Sequence, residues 1–453
     1  MQQNDAQYEK MIQTPIPRLV SSLAVPTMVS MLITSIYNVA DTYFVSKLGT
    51  QASGAVGIVF SLMAVIQAIG FTVGMGAGST ISRLLGKKEH EKAQQTANAA
   101  LLSSIILGVG LGILGILFLE KLMIWMGATE TILPFAVDYA RYILYASPIM
   151  IVSFVLSNLL RAEGKTKLSM VGILCGSVLN IALDPLFMFV FRWGMQGAAA
   201  ATAISQCIGC AVLSLFFWRK KTIIRFSFRY LSKELSIYKT FFGNGMPSLF
   251  RQGLASAASV TLNHAAAYYG DAAVAAMSIV GKIFMMVYCV LIGFGQGYQP
   301  VVGYNYGAGE YARVRAAYRF LMTAGTIGMS VIGAGLFCFA NVLMRQFVSD
   351  DGEVIAIGTH ALRMQSAVMP FLTLGIACNM TFQAVGKSVK AAFLASCRQG
   401  VFFLPMIFVL PRFLGITAIE ASQPAADLAT FLVCIPIMHG FMRRLCKTKT
   451  ADG

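Results

Sequence analysis

The chain has 453 residues, of which 57% are hydrophobic and 12% are charged, and its formal net charge is +16. A soluble domain carries about twice that share of charged residues, so the composition excludes a protein whose main solvent is water. The basic residues lie in short loops between apolar runs, which argues against nucleic-acid binding and is typical of membrane proteins.

Apolar runs long enough to cross a bilayer follow one another through the first half of the chain. The N-terminus lacks the basic region and cleavage site of a secretory signal, so the first run is predicted to be retained as a helix. Charged residues, glycines and prolines mark the ends of these runs. They predict helices at residues 17–44, 52–84, 95–119, 134–161, 168–191 and 196–218.

The second half follows a basic segment at residues 219–239, which we interpret as a solvated cytoplasmic linker. Further helices are predicted at 240–267, 273–304, 315–344, 358–384, 389–411 and 424–444. We therefore predict an all-α integral membrane protein with twelve transmembrane helices, in an N-terminal lobe (1–218) and a C-terminal lobe (240–453). No long amphipathic seam is evident, so a monomer is expected.

The orientation of the chain follows from its lysines and arginines. The termini and the even-to-odd loops hold 25 of them, against seven in the other loops. Because basic loops stay on the cytoplasmic side, both termini are predicted to be cytoplasmic.

The two lobes also match residue by residue, without gaps over long stretches. The aligned pairs include, at an offset of 221, Pro26 with Pro247, Gly74 with Gly295, Gly76 with Gly297 and Gly86 with Gly307, and at an offset of 222, Arg141 with Arg363, Pro148 with Pro370, Gly164 with Gly386 and Lys165 with Lys387. Glycine and proline fix kinks and close helix contacts, so these matches indicate a shared backbone. Six helices per lobe insert both lobes the same way up, a symmetry that suits alternating access.

Charged side chains inside apolar helices call for an explanation, because each costs about 2.5 to 3.5 kcal/mol at the bilayer centre. In the first predicted helix, Asp41 follows Thr34, Tyr37 and Asn38 at the spacing of one helical face. This polar stripe is expected to face a cavity or another helix.

The fifth predicted helix carries a second polar group. Asn180 and Asp184 share one face, and Pro185 removes a backbone N–H and frees a carbonyl oxygen near them. Oxygens that converge with a carboxylate can hold a sodium ion, and two neighbouring buried carboxyls can instead share a proton. The residues leave both possibilities open, beside a third in which Asp184 only bends its helix and Asp41 lies in a helix interface.

The repeat shows no equivalent acids in the second half, where the matching positions are Leu262, Phe402 and Met406. We therefore expect one acidic site, in the first half. The second half has basic residues within its helices, namely Arg251, Lys282 and Arg398. These are expected to bind helix-end carbonyls or to extend toward the membrane surface.

Enzyme motifs are missing from the sequence. It has no zinc-protease motif, nucleophile elbow or P-loop, and its four histidines are scattered. The nine cysteines lie in or beside apolar runs and are expected to pack rather than to form disulfides or bind zinc. We predict a protein that is not an enzyme and has no cofactor.

Five segments together resemble the multidrug and toxic compound extrusion (MATE) family, specifically its MepA-like bacterial branch. They are VPTMVSMLITSIYNVADTYFVSKLG, GAGSTISRLLGKKE, the turn from Arg161 to Gly164, LNIALDPLFMF and GFGQGYQPVVGYNYGAGE. The resemblance spans nearly the whole chain. It implies a V-shaped pair of six-helix lobes in a bacterial cytoplasmic membrane that exports cationic amphiphilic compounds in exchange for protons or sodium.

The resemblance also implies site residues. Family members of this type bind the coupling cation in the N-terminal lobe, and the matching positions are Asp41, Asn180, Asp184 and Thr202, with Tyr37, Asn38, Tyr139 and Asn158 as neighbours. Some branches carry acids in the seventh and tenth helices, and none occurs here, so no sodium site is expected in the C-terminal lobe.

We interpret the sequence as a multidrug:cation antiporter whose substrates are cationic amphiphiles. The first alternative is a flippase of lipid-linked saccharides from the same superfamily, which predicts a cationic central cavity. The second is a membrane scaffold or channel, which does not require a duplicated fold with acids in one half.

Overall fold

The computed structural model of the chain describes residues 2–232, 234–348 and 351–447, and the regular elements in these ranges are all helices. The first half contains α1 (Gln2–Gln13), α2 (Ile16–Ser46), α3 (Thr50–Gly86), α4 (His90–Leu117), α5 (Leu119–Trp125), α6 (Leu133–Ala162), α7 (Thr166–Pro185) and α8 (Gly194–Trp218). The second half contains α9 (Leu235–Ala267), α10 (Asp271–Gly307), α11 (Tyr311–Phe347), α12 (Gly352–Ala384), α13 (Ser388–Ser396), α14 (Leu404–Val409), α15 (Pro411–Leu414) and α16 (Ile416–Lys447).

Eleven helical spans in the described ranges are long and apolar enough to cross a membrane. The one remaining predicted helix, at residues 240–267, is also present, as the 33-residue α9. It is less apolar because it carries Asn244, Arg251 and Gln252, and it packs lengthwise against α3. The all-helical, multi-pass fold is therefore confirmed.

The helix α1 has no counterpart among the predicted elements. It lies where the two halves meet: the Gln7 amide donates to the Glu163 carbonyl of the first half at 2.8 Å, and the Asn305 amide of the second half donates to the Met11 carbonyl at 3.2 Å. Its polar sequence is unsuited to a bilayer, but one buried side chain, Met11, anchors it. The end of the molecule at which the two halves meet therefore carries α1.

The two halves approach each other most closely at that same end. A Cβ atom on Gly76 of α3 would collide with the backbone of α9 at Phe241 and Gly245, and one on Gly297 of α10 would collide with the backbone of α2 at Ala24. The offset of 221 relates Gly76 to Gly297 and Ala24 to Gly245. The contact is therefore made twice, related by approximate twofold symmetry.

The symmetry axis runs between α3 and α10. Gly303 packs against Ser82, and the offset of 221 relates these two residues to each other. Two equivalent residues that meet in this way lie at the axis. Next to it, the Arg83 guanidinium donates to the carbonyl of Ala384 at 3.3 Å. Beyond this crossing the halves diverge and leave a cavity between them, which accounts for the expected V shape.

Widened helical turns (π-helices) occur in both halves, at positions that the repeat does not relate to each other. In the first half the helix α7 continues beyond Pro185 as a π-helix at Leu186–Val190. In the second half α13 passes into a π-helix at Cys397–Phe403. Such turns are frequent at functional sites; the first begins two residues after Asp184, and the second contains Arg398.

The basic segment between the halves is only partly a solvated linker. Ile223 and Ile224 are buried, and their N–H groups donate to the Glu163 carboxylate at 2.8 and 2.9 Å. Side chains of α4 form further hydrogen bonds with its backbone. Residues 222–227 therefore form a strap that is bound to the first half. The helix α9 begins at Leu235, within the range predicted as linker.

Candidate ion-coupling site and central cavity

Three polar side chains of α7 and α8 form a buried cluster toward the end where the halves diverge. The Asn180 amide donates to Asp184 Oδ1 at 3.1 Å and to the Thr202 hydroxyl at 3.2 Å. Each of the three side chains belongs to a residue that is at most 2% exposed. The four-residue spacing puts Asn180 and Asp184 on one face of α7, and α8 brings Thr202 against that face.

Asp41 of α2 joins this cluster from the other side. The Tyr139 hydroxyl of α6 donates to Asp41 Oδ2 at 3.3 Å. The Asp41 and Asp184 carboxyls lie close enough to interact with each other, and both interact with the Tyr37 hydroxyl. Residues from four helices therefore converge on one pair of carboxyls.

The pair has no basic partner. Neither Asp41 nor Asp184 takes part in the ion pairs of the described residues. Three buried oxygens of the cluster, Asp41 Oδ1, Asn180 Oδ1 and Asp184 Oδ2, accept no hydrogen bond. Since two adjacent carboxylates repel each other, the chemistry of this donor-poor set suits a shared proton or a small cation such as sodium.

Three members of the predicted polar stripe line the central cavity. The cavity measures about 450 Å³, and Thr34, Tyr37 and Asn38 contribute to its wall on the side of the first half. Asp41, the fourth member, is 3% exposed and lies behind that wall. Tyr37 therefore lines the cavity and is near enough to the buried carboxyls to interact with them electrostatically.

Asn158 is placed apart from the other predicted site residues. It shares α6 with Tyr139, but about five turns of helix, or about 28 Å, lie between them. Its amide donates to the Phe154 carbonyl of its own helix at 2.7 Å, and its side chain packs against Gly74. The structure thus brings the other predicted residues to the carboxyl pair, except that Asn38 lies on the cavity wall and Asn158 lies apart.

The second half contains a buried acid that the sequence analysis did not identify. Asp427 of α16 lines the cavity, is 2% exposed, and accepts hydrogen bonds from Arg398 Nε at 2.7 Å, Gln365 at 2.8 Å and Gln423 at 2.9 Å. The expectation that buried acids occur only in the first half therefore does not hold. Comparing the repeats missed Asp427, because Ser205 stands at the matching position; its place inside a predicted apolar helix was the available signal.

A further buried acid of α16 pairs with a histidine. Glu420 contacts His360 Nδ1 of α12, and the side chain of Glu420 is 4% exposed against 53% for His360. The sequence analysis began this helix at residue 424, whereas α16 begins at Ile416. Pro424 was taken as a boundary, but the helix continues through it.

The basic residues of the second half divide into three cases. Arg398 was expected to bind helix-end carbonyls or to extend toward the membrane surface, and it does neither. It pairs with Asp427, and its guanidinium lies 4.5 Å from the centre of the Tyr288 ring. Arg251 lines the cavity and donates to Asn379 at 3.3 Å. Lys282 is exposed, in agreement with an extended side chain.

Arg161 connects the two halves at the floor of the cavity. It is 5% exposed and donates to Ser157 at 2.8 Å and to Ser169 at 3.2 Å on its own side, and to Gln296 of α10 across the interface. Within the described residues it forms no ion pair. The floor of the cavity therefore carries a positive charge held by neutral groups.

Comparison with known proteins bears on the whole chain. The family model MatE matches residues 26–186 and 247–409, two segments whose starts are separated by the offset that aligns the halves. The chain is 27% identical over 427 residues to the multidrug export protein MepA of Staphylococcus saprophyticus, and the alignment covers 94% of each chain.

Two solved structures share the fold over nearly its full length. One is described as the outward-facing conformation of a multidrug resistance MATE family transporter of the MOP superfamily, with 26% identity, a TM-score of 0.92, and coverage of 96% of this chain and 98% of that one. The other is a MOP superfamily transporter from Pyrococcus furiosus, in which reverse polarity of the binding pocket is said to suggest a different function. Its identity is 26%, its TM-score is 0.91, and the match covers 97% of this chain and 98% of that one.

Proposed function

The chain belongs to the MatE family, and on that premise we propose that it is a secondary active multidrug exporter. It expels cationic amphiphilic compounds in exchange for protons or sodium ions, and the first half binds the coupling ion. The observation that carries this proposal is a pair of buried carboxyls, Asp41 and Asp184, that form no ion pair with any described residue and lie beside a cavity between the halves.

Competition for negative charge drives the exchange. Without a bound ion, the Asp41–Asp184 pair is negatively charged and attracts a cation in the cavity, and this attraction is strengthened because the carboxyls themselves are buried. A proton or sodium ion entering the pair removes that charge and weakens substrate binding. Tyr37, which lines the cavity and interacts electrostatically with both carboxyls, is the link between the two events.

The cavity wall supports a drug-sized cationic amphiphile as substrate. Its volume of about 450 Å³ falls within the range of small-molecule sites, roughly 300 to 1,000 Å³. Aromatic side chains, among them Phe71, Phe284, Tyr288 and Phe431, contribute to the wall. Aromatic faces attract organic cations and also bury their apolar parts.

The orientation of the protein belongs to the same proposal. The halves are in contact at the end that carries α1 and diverge toward the end of Asp41, and we assign the first end to the cytoplasm of a bacterial inner membrane. The distribution of basic loops and the likeness to an outward-facing transporter support this assignment. We expect a monomer that is not an enzyme and has no resident cofactor.

The energy available limits the stoichiometry. A proton moving inward across a potential of roughly 100 mV releases about 2.3 kcal/mol. That supports roughly a 50-fold gradient of a neutral solute. A cationic substrate moves against the same potential, so its export requires the pH gradient as well or more than one proton.

The proposal is tested by ethidium efflux from cells that express Asp41→Asn or Asp184→Asn. We expect efflux to fall to the level of cells without the protein, because an amide cannot alternate between charged and neutral forms. The control is Asp271→Asn, which removes an exposed carboxyl at the start of α10 and should leave efflux unchanged. Efflux at wild-type rates in both buried variants would overturn the proposal.

A flippase of lipid-linked saccharides is the second candidate. Arg161 and Arg251 line the cavity and form no ion pairs within the described residues, which favours an anionic headgroup. The chain is also similar to a MOP superfamily transporter whose reverse pocket polarity is said to suggest a different function. A scrambling assay with labelled lipid-linked saccharide in liposomes separates the candidates, and a steady ohmic current in planar bilayers would indicate a channel instead.

A further inference from the structure

A second cavity lies outside the transport site, on the α1-bearing end of the second half. It measures about 480 Å³ and is formed by the start of α13 and the last turns of α16. Three basic residues, Lys387, Lys390 and Arg444, line it together with the aromatic side chains of Phe393 and Phe441. No acidic residue of the described chain is among its lining residues.

The positive charges of this basic pocket are crowded. Partial burial, followed by the neighbouring charges of Lys390 and Arg444, lowers the pKa of the Lys387 ammonium. Lys387 Nζ lies 4.6 Å from the centre of the Phe441 ring, and no carboxylate is within ion-pair distance of it in the described residues. Such a group of cations is stabilised by an anion placed between them.

The first half shows what occupies the matching place. Lys165, the counterpart of Lys387, pairs with the Glu163 carboxylate at 3.0 Å and donates to the carbonyl of Lys221 at 2.6 Å. In the second half Val385 stands at the position of Glu163. The first half thus supplies an anion from its own chain, and the second half has replaced it by an apolar residue.

The strap that covers the first-half site also has no equivalent in the second. Residues 222–224 lie over the Lys165 turn, bound to Glu163. Their counterparts at the offset of 222, residues 444–446, continue the helix α16 instead. The space filled by chain in the first half is therefore open in the second.

Apolar side chains at the rim of the pocket indicate an amphipathic ligand. Val389 is 84% exposed and Phe393 is 49% exposed, and both lie on the outer surface of a helix that crosses the membrane. A free inorganic anion would leave these side chains without a partner. Acyl chains would cover them.

We propose that the basic pocket binds the phosphate headgroup of an anionic phospholipid, with its acyl chains along Val389 and Phe393. Basic pockets between helices at the cytoplasmic side of membrane proteins are suited to such headgroups. The lipid takes the place that Glu163 has in the first half and neutralises Lys387 and Lys390. Only the choice of leaflet rests on the proposed orientation; the binding itself does not depend on transport.

The test is lipid retention by the full chain after reconstitution in phosphatidylcholine with a minor fraction of phosphatidylglycerol. Native mass spectrometry of the re-extracted protein counts the phosphatidylglycerol that stays bound. We expect the double variant Lys387→Gln/Lys390→Gln to retain roughly tenfold less, since each lysine contributes to headgroup attraction. Lys387→Arg/Lys390→Arg should retain the wild-type amount.

The matched control is Lys167→Gln/Lys239→Gln, which removes two exposed lysines near the same end and should not change retention. Equal retention by the pocket variant and this control would overturn the proposal. Displacement of the phospholipid by inorganic phosphate would also overturn it, because the pocket would then bind a free anion. Thermal unfolding in detergent identifies any variant that loses lipid only because it does not fold. If the glutamine variant does not fold, loss of lipid from the folded arginine variant would overturn the proposal, and wild-type retention would support it.

Discussion

At the scale of single residues, the partners of a buried carboxyl decide what it is able to do. Asp184 accepts one hydrogen bond, from a neutral amide, and its second oxygen has no partner. Asp427 is equally buried but is bound by the Arg398 guanidinium and two glutamine amides. Asp427 is therefore neutralised within the chain, whereas Asp184 has no such partner among the described residues, as the proposed ion site requires.

We predict that the Arg398–Asp427 pair is coupled in stability. Asp427→Asn alone leaves a nearly buried guanidinium without its anion, which costs about 3 kcal/mol at the lower end of the range for broken buried pairs. Arg398→Gln alone should cost a similar amount. The double variant should lose clearly less than the sum, and thermal and denaturant unfolding in detergent measure all three. Additive losses would contradict the pairing.

At the scale of helices, small residues set how closely the two halves approach. The contacts of Gly76 with α9 and of Gly297 with α2 are symmetry-related, and in both the neighbour is backbone, which cannot move aside as a side chain can. The repeat of glycine at matching positions in the sequence therefore reports one structural requirement made twice.

We predict that Gly76→Ala and Gly297→Ala each lower the thermal midpoint and reduce efflux, because the added methyl group separates the closed end. The control is Gly110→Ala in α4, where a Cβ atom meets nothing within 4 Å. That change should raise helix stability by up to about 1 kcal/mol. If the control lowered the thermal midpoint as the two interface variants are expected to do, the result would count against close packing at this end.

The strap is a second feature at this scale. Glu163→Ala removes the acceptor of two strap N–H groups and the partner of Lys165, a loss of about 1 to 3 kcal/mol for bonds to a charged group. We predict that trypsin then cleaves after Lys221 and Arg225 several-fold faster. Glu89→Ala, which removes a half-exposed carboxylate paired with its neighbour Lys92, should leave the rate unchanged. Equal cleavage in all forms would show that the strap is not held by Glu163.

At the scale of the whole molecule, duplication and asymmetry have separate roles. The two halves share a backbone plan and meet along an approximate twofold axis, while their polar clusters differ: an unneutralised acid pair in the first half and an Arg–Asp pair in the second. A symmetric hinge with an ion site in one half suits exchange between two facing states.

We predict that transport in proteoliposomes follows an imposed gradient of either protons or sodium ions. An inward gradient of the coupling ion should drive substrate in the opposite direction, and an ionophore that dissipates that gradient should abolish transport. Asp41→Asn should lose the response to the same gradient. Transport that responds to neither gradient would exclude secondary active exchange.

The sequence alone determined the long helices, their order and the repeat, because apolar length and the positions of glycine and proline are local properties of the chain. It also singled out Asp41, Asn180 and Asp184, because polar side chains inside an apolar helix are visible without a structure, although Asp427 was missed. The tertiary structure alone decided the partners: it paired Arg398 with Asp427 and bound Glu163 to the strap. Those pairs join residues far apart in sequence, and only the packing of helices on one another determines which buried charges meet.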